Sequence, residues 1–269
     1  MAIQDFKSAY KTIMDDHFTP RMEISFVDES GKKQTLFFEK VSWLIDGVMK
    51  GMRYGENPGQ EAALYKLVNG NLVLGEVEFI QPGRFLASDP ELIQSGKHPG
   101  KINITDVDNA LNILRYLTET PCAAIVKHNN PCGVAKGATL AEAFDKANMA
   151  DRVAAFGGAI AVNRELDKTT AELIAENYAE VVAAPEFAEG VLDIFAKKKN
   201  LRVVRVANMK RLQEFDGSIF LDLKSLIDRG IMAQTSFVPK ARKKEDLVAA
   251  QATYKGKEYK INRLPTDRE

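Results

Sequence analysis

The chain has 269 residues, 45% of them hydrophobic, which is enough to bury the core of one large domain or two modest ones. Its 37 basic and 37 acidic side chains balance, so the composition excludes the strong net charge that favours binding to nucleic acid or membranes. The absence of a signal-peptide pattern or a long apolar run, together with only two cysteines, predicts a soluble protein of the reducing cytoplasm.

The N-terminal third predicts one helix and two hairpins. Apolar residues recur at three- and four-residue intervals from Phe6 to Met14, which is typical of an amphipathic helix. Strand-like segments then flank two turn-forming stretches, so each stretch predicts a β-hairpin. The predicted strand pairs are residues 22–27 with 35–38, and residues 63–68 with 72–74.

From residue 105 to residue 206 helical and strand-like segments alternate. Helices are predicted at 105–117, 139–149, 167–178 and 188–198, with Thr105 and Thr139 as N-caps. Strands are predicted at 122–126, 156–162, 181–184 and 201–206. This alternation indicates an α/β fold, with a mixed, largely parallel sheet flanked by helices.

The candidate for chemistry lies where the apolar strand at 122–126 meets Lys127 and His128. Pro131 and Gly133 come shortly afterwards, and we expect them to stop the strand and force a turn. A neutral imidazole accepts a proton near pH 7, and an adjacent ammonium favours that neutral form and stabilises an oxyanion. The pair therefore indicates general-base chemistry, with a surface lysine beside a hydrogen-bonded histidine as the alternative.

Two other stretches could bind a ligand. Residues 53–60 (RYGENPGQ) contain Arg53, whose fork suits a phosphate, and glycines that let backbone amides approach it; the alternative is an ordinary turn. No nucleoside triphosphate motif accompanies them. Phe156, Gly157 and Gly158 leave room for a flat ring, although a glycine pair in a strand equally marks a bulge or close packing.

Two further features favour simpler roles. Residues 197–199 are lysines at the C-terminus of a predicted helix, where cations offset the helix dipole. His128 and Cys132 lie four residues apart with Cys122 upstream, but nothing completes a tetrahedral zinc site. We therefore expect no metal.

Three motifs in this order carry a resemblance to a known family. They are residues 53–58 (RYGENP), 127–133 (KHNNPCG) and 155–158 (AFGG). The ordered set resembles the transformylase part of the AICAR transformylase/IMP cyclohydrolase family. The full name of this transformylase is phosphoribosylaminoimidazolecarboxamide formyltransferase. The resemblance covers essentially the whole chain and implies a cytidine-deaminase-like lobe at residues 1–236. It also implies that residues 237–269 connect to a second lobe absent from this sequence, and no cyclohydrolase domain is expected before residue 3.

The resemblance assigns roles position by position. It implies that His128 is the proton acceptor and that Lys127 stabilises the transition state. The implied substrate contacts are Arg53, Tyr54, Asn103, the backbone of Gly157, Glu180, where many relatives have Asp, and Lys199 near a phosphate.

The implied reaction transfers a formyl group from the co-substrate 10-formyltetrahydrofolate to the 5-amino group of AICAR. Because the lone pair of that amine is conjugated with the ring, the attack needs a base and a cation. The resemblance also implies an intertwined homodimer. Two alternatives remain: a non-catalytic nucleotide-binding lobe, and a deaminase-like hydrolase that would need zinc. Residue type alone would allow covalent catalysis by Cys132, but nothing in the family resemblance supports that role.

Overall fold

A computed structural model of the chain describes residues 16–78, 83–241 and 243–266. The helix predicted between Phe6 and Met14 lies outside these residues. The chain forms two compact units, Met1–Asp216 and Gly217–Glu269. The boundary predicted at residue 236 and the connecting role of residues 237–269 remain predictions. Within the described ranges no helix combines the length and the apolar character needed to cross a bilayer.

Short antiparallel strands form the N-terminal part of the first unit. They are β1 (Arg21–Val27), β2 (Lys33–Lys40), β3 (Trp43–Ile45), β4 (Val48–Lys50), β5 (Tyr65–Gly70), β6 (Val73–Leu74) and β7 (Val77–Glu78). The first predicted hairpin is confirmed, because β1 pairs antiparallel with β2. The pairing of the second is wrong, since β5 joins β2 and β6 joins β7. A Cβ on Gly70 would lie 2.9 Å from Leu36 Cδ2, so this glycine allows close strand packing.

A six-stranded mixed sheet is the centre of the first unit. Its strands are β8 (Glu91–Gln94), β9 (Cys122–Lys127), β10 (Asn130–Lys136), β11 (Ala159–Val162), β12 (Val181–Ala184) and β13 (Arg202–Arg205). They lie in the order β10-β9-β11-β12-β13-β8. The neighbours β11, β12 and β13 are parallel, whereas β9 and β8 run against them at either side. The α/β prediction is confirmed, although β8 had no counterpart in it.

Helices cover both faces of this sheet. They are α1 (Lys101–Leu114), α2 (Leu140–Ala150), α3 (Arg152–Ala155), α4 (Lys168–Ala175) and α5 (Val191–Ala196), and a 3-10 segment comes next at Ala207–Phe215. Alternate residues of each strand point to opposite faces, so Val126 packs with α1 while Ile125 packs with Phe144 of α2. The result is a core on each side of the sheet.

The observed helix starts explain where the predictions succeeded. Thr139 caps α2 as predicted, because its hydroxyl accepts the Glu142 N–H at 3.2 Å. Thr105 does not cap α1, which begins four residues earlier, and its hydroxyl donates to the Ile102 carbonyl inside the helix. The N-cap of α1 is Gly100, whose N–H donates to the Asn103 side chain at 3.0 Å.

The second unit consists of two antiparallel hairpins. The first joins β14 (Leu221–Ser225) to β15 (Ile231–Thr235), and the second joins β16 (Gln251–Tyr254) to β17 (Lys257–Lys260). A short 3-10 turn lies between them at Lys244–Asp246. Almost every strand residue is exposed in this unit.

Close packing of α2 on β10 gives a testable prediction at Gly133. A Cβ there would lie 1.9 Å from the Ala147 carbonyl oxygen, and backbone cannot move aside as a side chain does. We expect Gly133→Ala to lower the free energy of unfolding by about 1–3 kcal/mol, measured by urea denaturation. Gly59→Ala is the matched control, because nothing lies within 4 Å of its Cβ position. Equal stability of the two variants would contradict this packing.

Candidate active site

The predicted reactive residues lie on a tight turn. Strand β9 ends at Lys127, and the chain reverses over His128 and Asn129 into β10. Both turn residues have positive φ, 53° and 63°, as in the two-residue type I′ turns of hairpins. The prediction that Pro131 and Gly133 stop the strand and form the turn is wrong. Both lie within β10, an edge strand, where the missing N–H of a proline is tolerated.

This turn forms part of a cleft at one edge of the central sheet. Because β9 is antiparallel to β11 and β11 is parallel to β12, the end of β9 meets the starts of β11 and β12. The cleft has a volume of about 230 Å³. Six of the eight predicted site residues line it: Tyr54, Asn103, Lys127, His128, Gly157 and Glu180.

A hydrogen-bonded network fixes the acidic side of the cleft. The Asn103 amide donates to Glu180 Oε2 at 2.9 Å, and Arg202 Nη1 lies 3.6 Å from the same oxygen. The Arg202 side chain is only 4% exposed. Burial lowers the pKa of Arg202, while the charge of Glu180 opposes that shift. The Glu180 carboxylate is therefore held in a defined orientation by α1 and β13.

Arg53 packs against Tyr54 but is not among the residues that line the cleft. The residue is 5% exposed, and its guanidinium carbon lies 4.8 Å from the centre of the Tyr54 ring. Within the described part of the chain this guanidinium donates no hydrogen bond. Its charge acts on His98 and Arg202, two further cationic or basic groups. A buried cation whose donors meet no acceptor among the described residues, beside other basic groups, favours an anionic ligand.

The lysine side chain is tied to the loop that enters β11. Lys127 Nζ donates to the Phe156 carbonyl at 2.7 Å. The next residue, Gly157, has a φ of 76° and donates its N–H to the Tyr178 carbonyl at 2.8 Å. Burial raises the pKa of Tyr178, and the charge of Glu180 raises that pKa further. The ammonium is therefore held by the backbone of the loop that enters β11.

Lys199 is not brought into the cleft. It lines a separate pocket of about 240 Å³, together with its neighbouring lysines and residues that come after α4. Tyr178 also borders this pocket, whereas Lys127 and His128 do not. Because Lys199 does not line the cleft, its contact with the substrate phosphate remains a prediction that the cleft geometry does not support.

Neither the two thiols nor any cluster of metal-ligating side chains provides a further candidate site among the described residues. Cys122 and Cys132 are free cysteines, and burial raises the pKa of both thiols, which disfavours Cys132 as a nucleophile. No group of three metal-ligating side chains lies together among residues 16–78, 83–241 and 243–266.

Two residues near the cleft were missed by the sequence analysis, Asp106 and Arg202. Asp106 lies on the buried face of α1, three residues after Asn103. A polar pair spaced by three on an otherwise apolar helix face is a recognisable signal, because buried polar residues are the informative exceptions in a core. Arg202 gives no such signal, since it stands at the start of a short strand.

Comparison with known proteins gives a consistent family match. Residues 5–264 match the family model described as AICARFT/IMPCHase bienzyme. The bifunctional purine biosynthesis protein PurH of Bacillus subtilis (strain 168) is 36% identical over 256 residues, covering 90% of this chain and 44% of that protein. The PurH protein of Halalkalibacterium halodurans is 39% identical over 197 residues, covering 73% of this chain and 34% of that protein. The chain therefore spans less than half the length of the curated relatives it matches.

Proposed function

The chain belongs to the AICARFT/IMPCHase bienzyme family, and on that premise we propose that it carries out formyl transfer from 10-formyltetrahydrofolate to the 5-amino group of AICAR. The observation that carries this proposal is the single cleft that groups Lys127 and His128 with Tyr54, Asn103 and Glu180. It combines a base, a cation and fixed polar groups for a nucleotide.

In the proposed mechanism His128 acts as the general base. The amine nitrogen attacks the formyl carbon while the imidazole takes the amine proton. The Lys127 ammonium, held by the Phe156 carbonyl at 2.7 Å, stabilises the oxyanion that develops on the formyl oxygen. The bond from the formyl carbon to N10 of the folate then breaks, and the proton passes to that nitrogen. No metal takes part in this sequence.

The remaining polar groups hold the nucleotide. Glu180 and Asn103, already hydrogen-bonded to each other at 2.9 Å, offer acceptors and donors to the sugar or the carboxamide. Arg53, which packs against Tyr54 beside this group, offers its guanidinium to the phosphate. The proposal includes the family's homodimer and a cytoplasmic setting, which suits a folate-dependent step of purine biosynthesis.

Calorimetric titration and a transfer assay test the proposal together. We expect AICAR to bind the purified protein, and 10-formyltetrahydrofolate to be consumed only when AICAR is present. Failure of AICAR to bind would contradict the proposal. Binding without turnover would favour the non-catalytic nucleotide-binding lobe, and stoichiometric zinc in the purified protein would favour the deaminase-like hydrolase.

A further inference from the structure

Asp106 stands apart among the residues of the cleft because both of its carboxylate oxygens are directed at the backbone of the reactive turn. Oδ2 accepts the His128 N–H at 3.2 Å, and Oδ1 accepts the Asn129 N–H at 2.7 Å. The residue is 4% exposed, and no Lys or Arg forms an ion pair with it in the part of the chain that is described. The buried charge is therefore balanced by two consecutive backbone amides.

The backbone conformation of this turn explains why it needs a hydrogen-bond acceptor such as the Asp106 carboxylate. His128 and Asn129 both have left-handed φ values, and non-glycine residues rarely adopt them. Asparagine and histidine are among the non-glycine residues enriched in this region, but two consecutive residues there remain uncommon and benefit from hydrogen bonds that hold them. Asn109, three residues after Asp106 on α1, also reaches the turn, because its amide donates to Asn129 Oδ1 at 3.0 Å. One face of α1 therefore holds the turn at two points.

We propose that Asp106 is the positioning residue of the active site: it locks the turn in the conformation that directs Lys127 and His128 into the cleft. The proposal rests on the function proposed above, and it deepens that function. Asp106 acts through the backbone of His128, so it is not a catalytic residue. Small displacements of a base from its substrate reduce the rate by large factors, so a fixed turn conformation favours catalysis.

The two hydrogen bonds from the turn to Asp106 are also sensitive to pH. Burial raises the pKa of Asp106; the two amide bonds and the charge of His128 oppose this shift, and the charge of Glu180 adds to it. Cys132 of β10 is a further titratable group that faces Asp106. As the pH falls through the raised pKa, a proton occupies one acceptor oxygen and the corresponding amide bond is lost.

The direct test measures the amide protons of His128 and Asn129 by NMR. In the wild-type protein we expect both amide shifts to titrate with one midpoint, above the pKa of an ordinary aspartate. In Asp106→Asn this transition should disappear, and exchange of both amide protons should accelerate about tenfold or more, since charged hydrogen bonds are the strong ones. Asp167→Asn is the matched control, because Asp167 accepts a backbone N–H at the start of α4, outside the cleft.

Kinetics distinguish positioning from substrate contact. We expect Asp106→Asn to lower kcat for formyl transfer by about 10²-fold while the KM for AICAR stays within about threefold. Unchanged amide exchange in Asp106→Asn would overturn the proposal, and so would a rise in KM alone. If the wild-type protein transfers no formyl group, the proposed function fails, whereas the NMR titration still decides whether Asp106 locks the turn.

Discussion

Replacing His128 with alanine is expected to reduce formyl transfer by about 10²–10⁴-fold, because a positioned general base contributes that much to the rate. AICAR binding should change by no more than about tenfold, or about 1.4 kcal/mol, since the proposed phosphate and sugar contacts do not involve His128. Steady-state kinetics and a calorimetric titration of the same preparation measure the two quantities. A loss in kcat without a comparable loss in affinity identifies a group that acts in the transition state.

His17 provides the control for this substitution. It is an exposed histidine whose ring lies 2.9 Å from Glu61, and it is not among the residues that line the cleft. His17→Ala should leave turnover unchanged. If His128→Ala also retained full turnover, His128 would have no part in the mechanism, and the proposed assignment of the cleft would lose its base.

Replacing Arg53 with alanine should weaken AICAR binding by about 10²-fold, because it removes the proposed bidentate, charge-assisted contact to the phosphate. The loss should be specific for the phosphate. The AICA nucleoside, which lacks the phosphate, should bind the wild-type protein and Arg53→Ala with affinities within about threefold of each other. Calorimetric titration of both proteins with both ligands gives the four affinities of this cycle.

Arg211→Ala is the matched control for Arg53. Arg211 is half exposed and pairs with Glu214 at 2.7 Å, so its removal should not affect either ligand. Equal weakening of the nucleotide and the nucleoside in Arg53→Ala would show that the arginine acts through its packing on Tyr54. In that event the phosphate would have to bind elsewhere.

The central sheet was predictable because its signals are local. The fully buried strand β12 reads as an uninterrupted apolar segment, and its predicted limits, 181–184, are the observed ones. The cap of α2 at Thr139 is equally local. The choice of strand partners is not local, so the pairing of β5 with β2 could not be predicted from the turn signal at Gly70. Strand β8 has only four residues, too few for a periodic pattern.

Six of the eight residues predicted for the site line one cleft, but the geometry that brings them together could not be predicted from the sequence. The motif at residues 127–133 contains the candidate pair Lys127 and His128, yet its proline suggests a turn in the wrong place, since edge strands accept proline. His128 has a positive φ although it is not a glycine, so the sequence does not indicate this backbone conformation. Asp106 reaches the turn across 22 residues of sequence, and only the packing of α1 on the sheet brings the two together. Such contacts depend on the fold and leave no local pattern.

The measurement that tests the central claim most directly is a crystal structure of the protein with AICAR bound. We expect the 5-amino nitrogen to lie about 3 Å from a ring nitrogen of His128, within hydrogen-bonding reach. The phosphate should lie on the side of the cleft lined by Tyr54, against which Arg53 packs. AICAR bound outside this cleft, or in it with the amino group turned away from His128, would contradict the account.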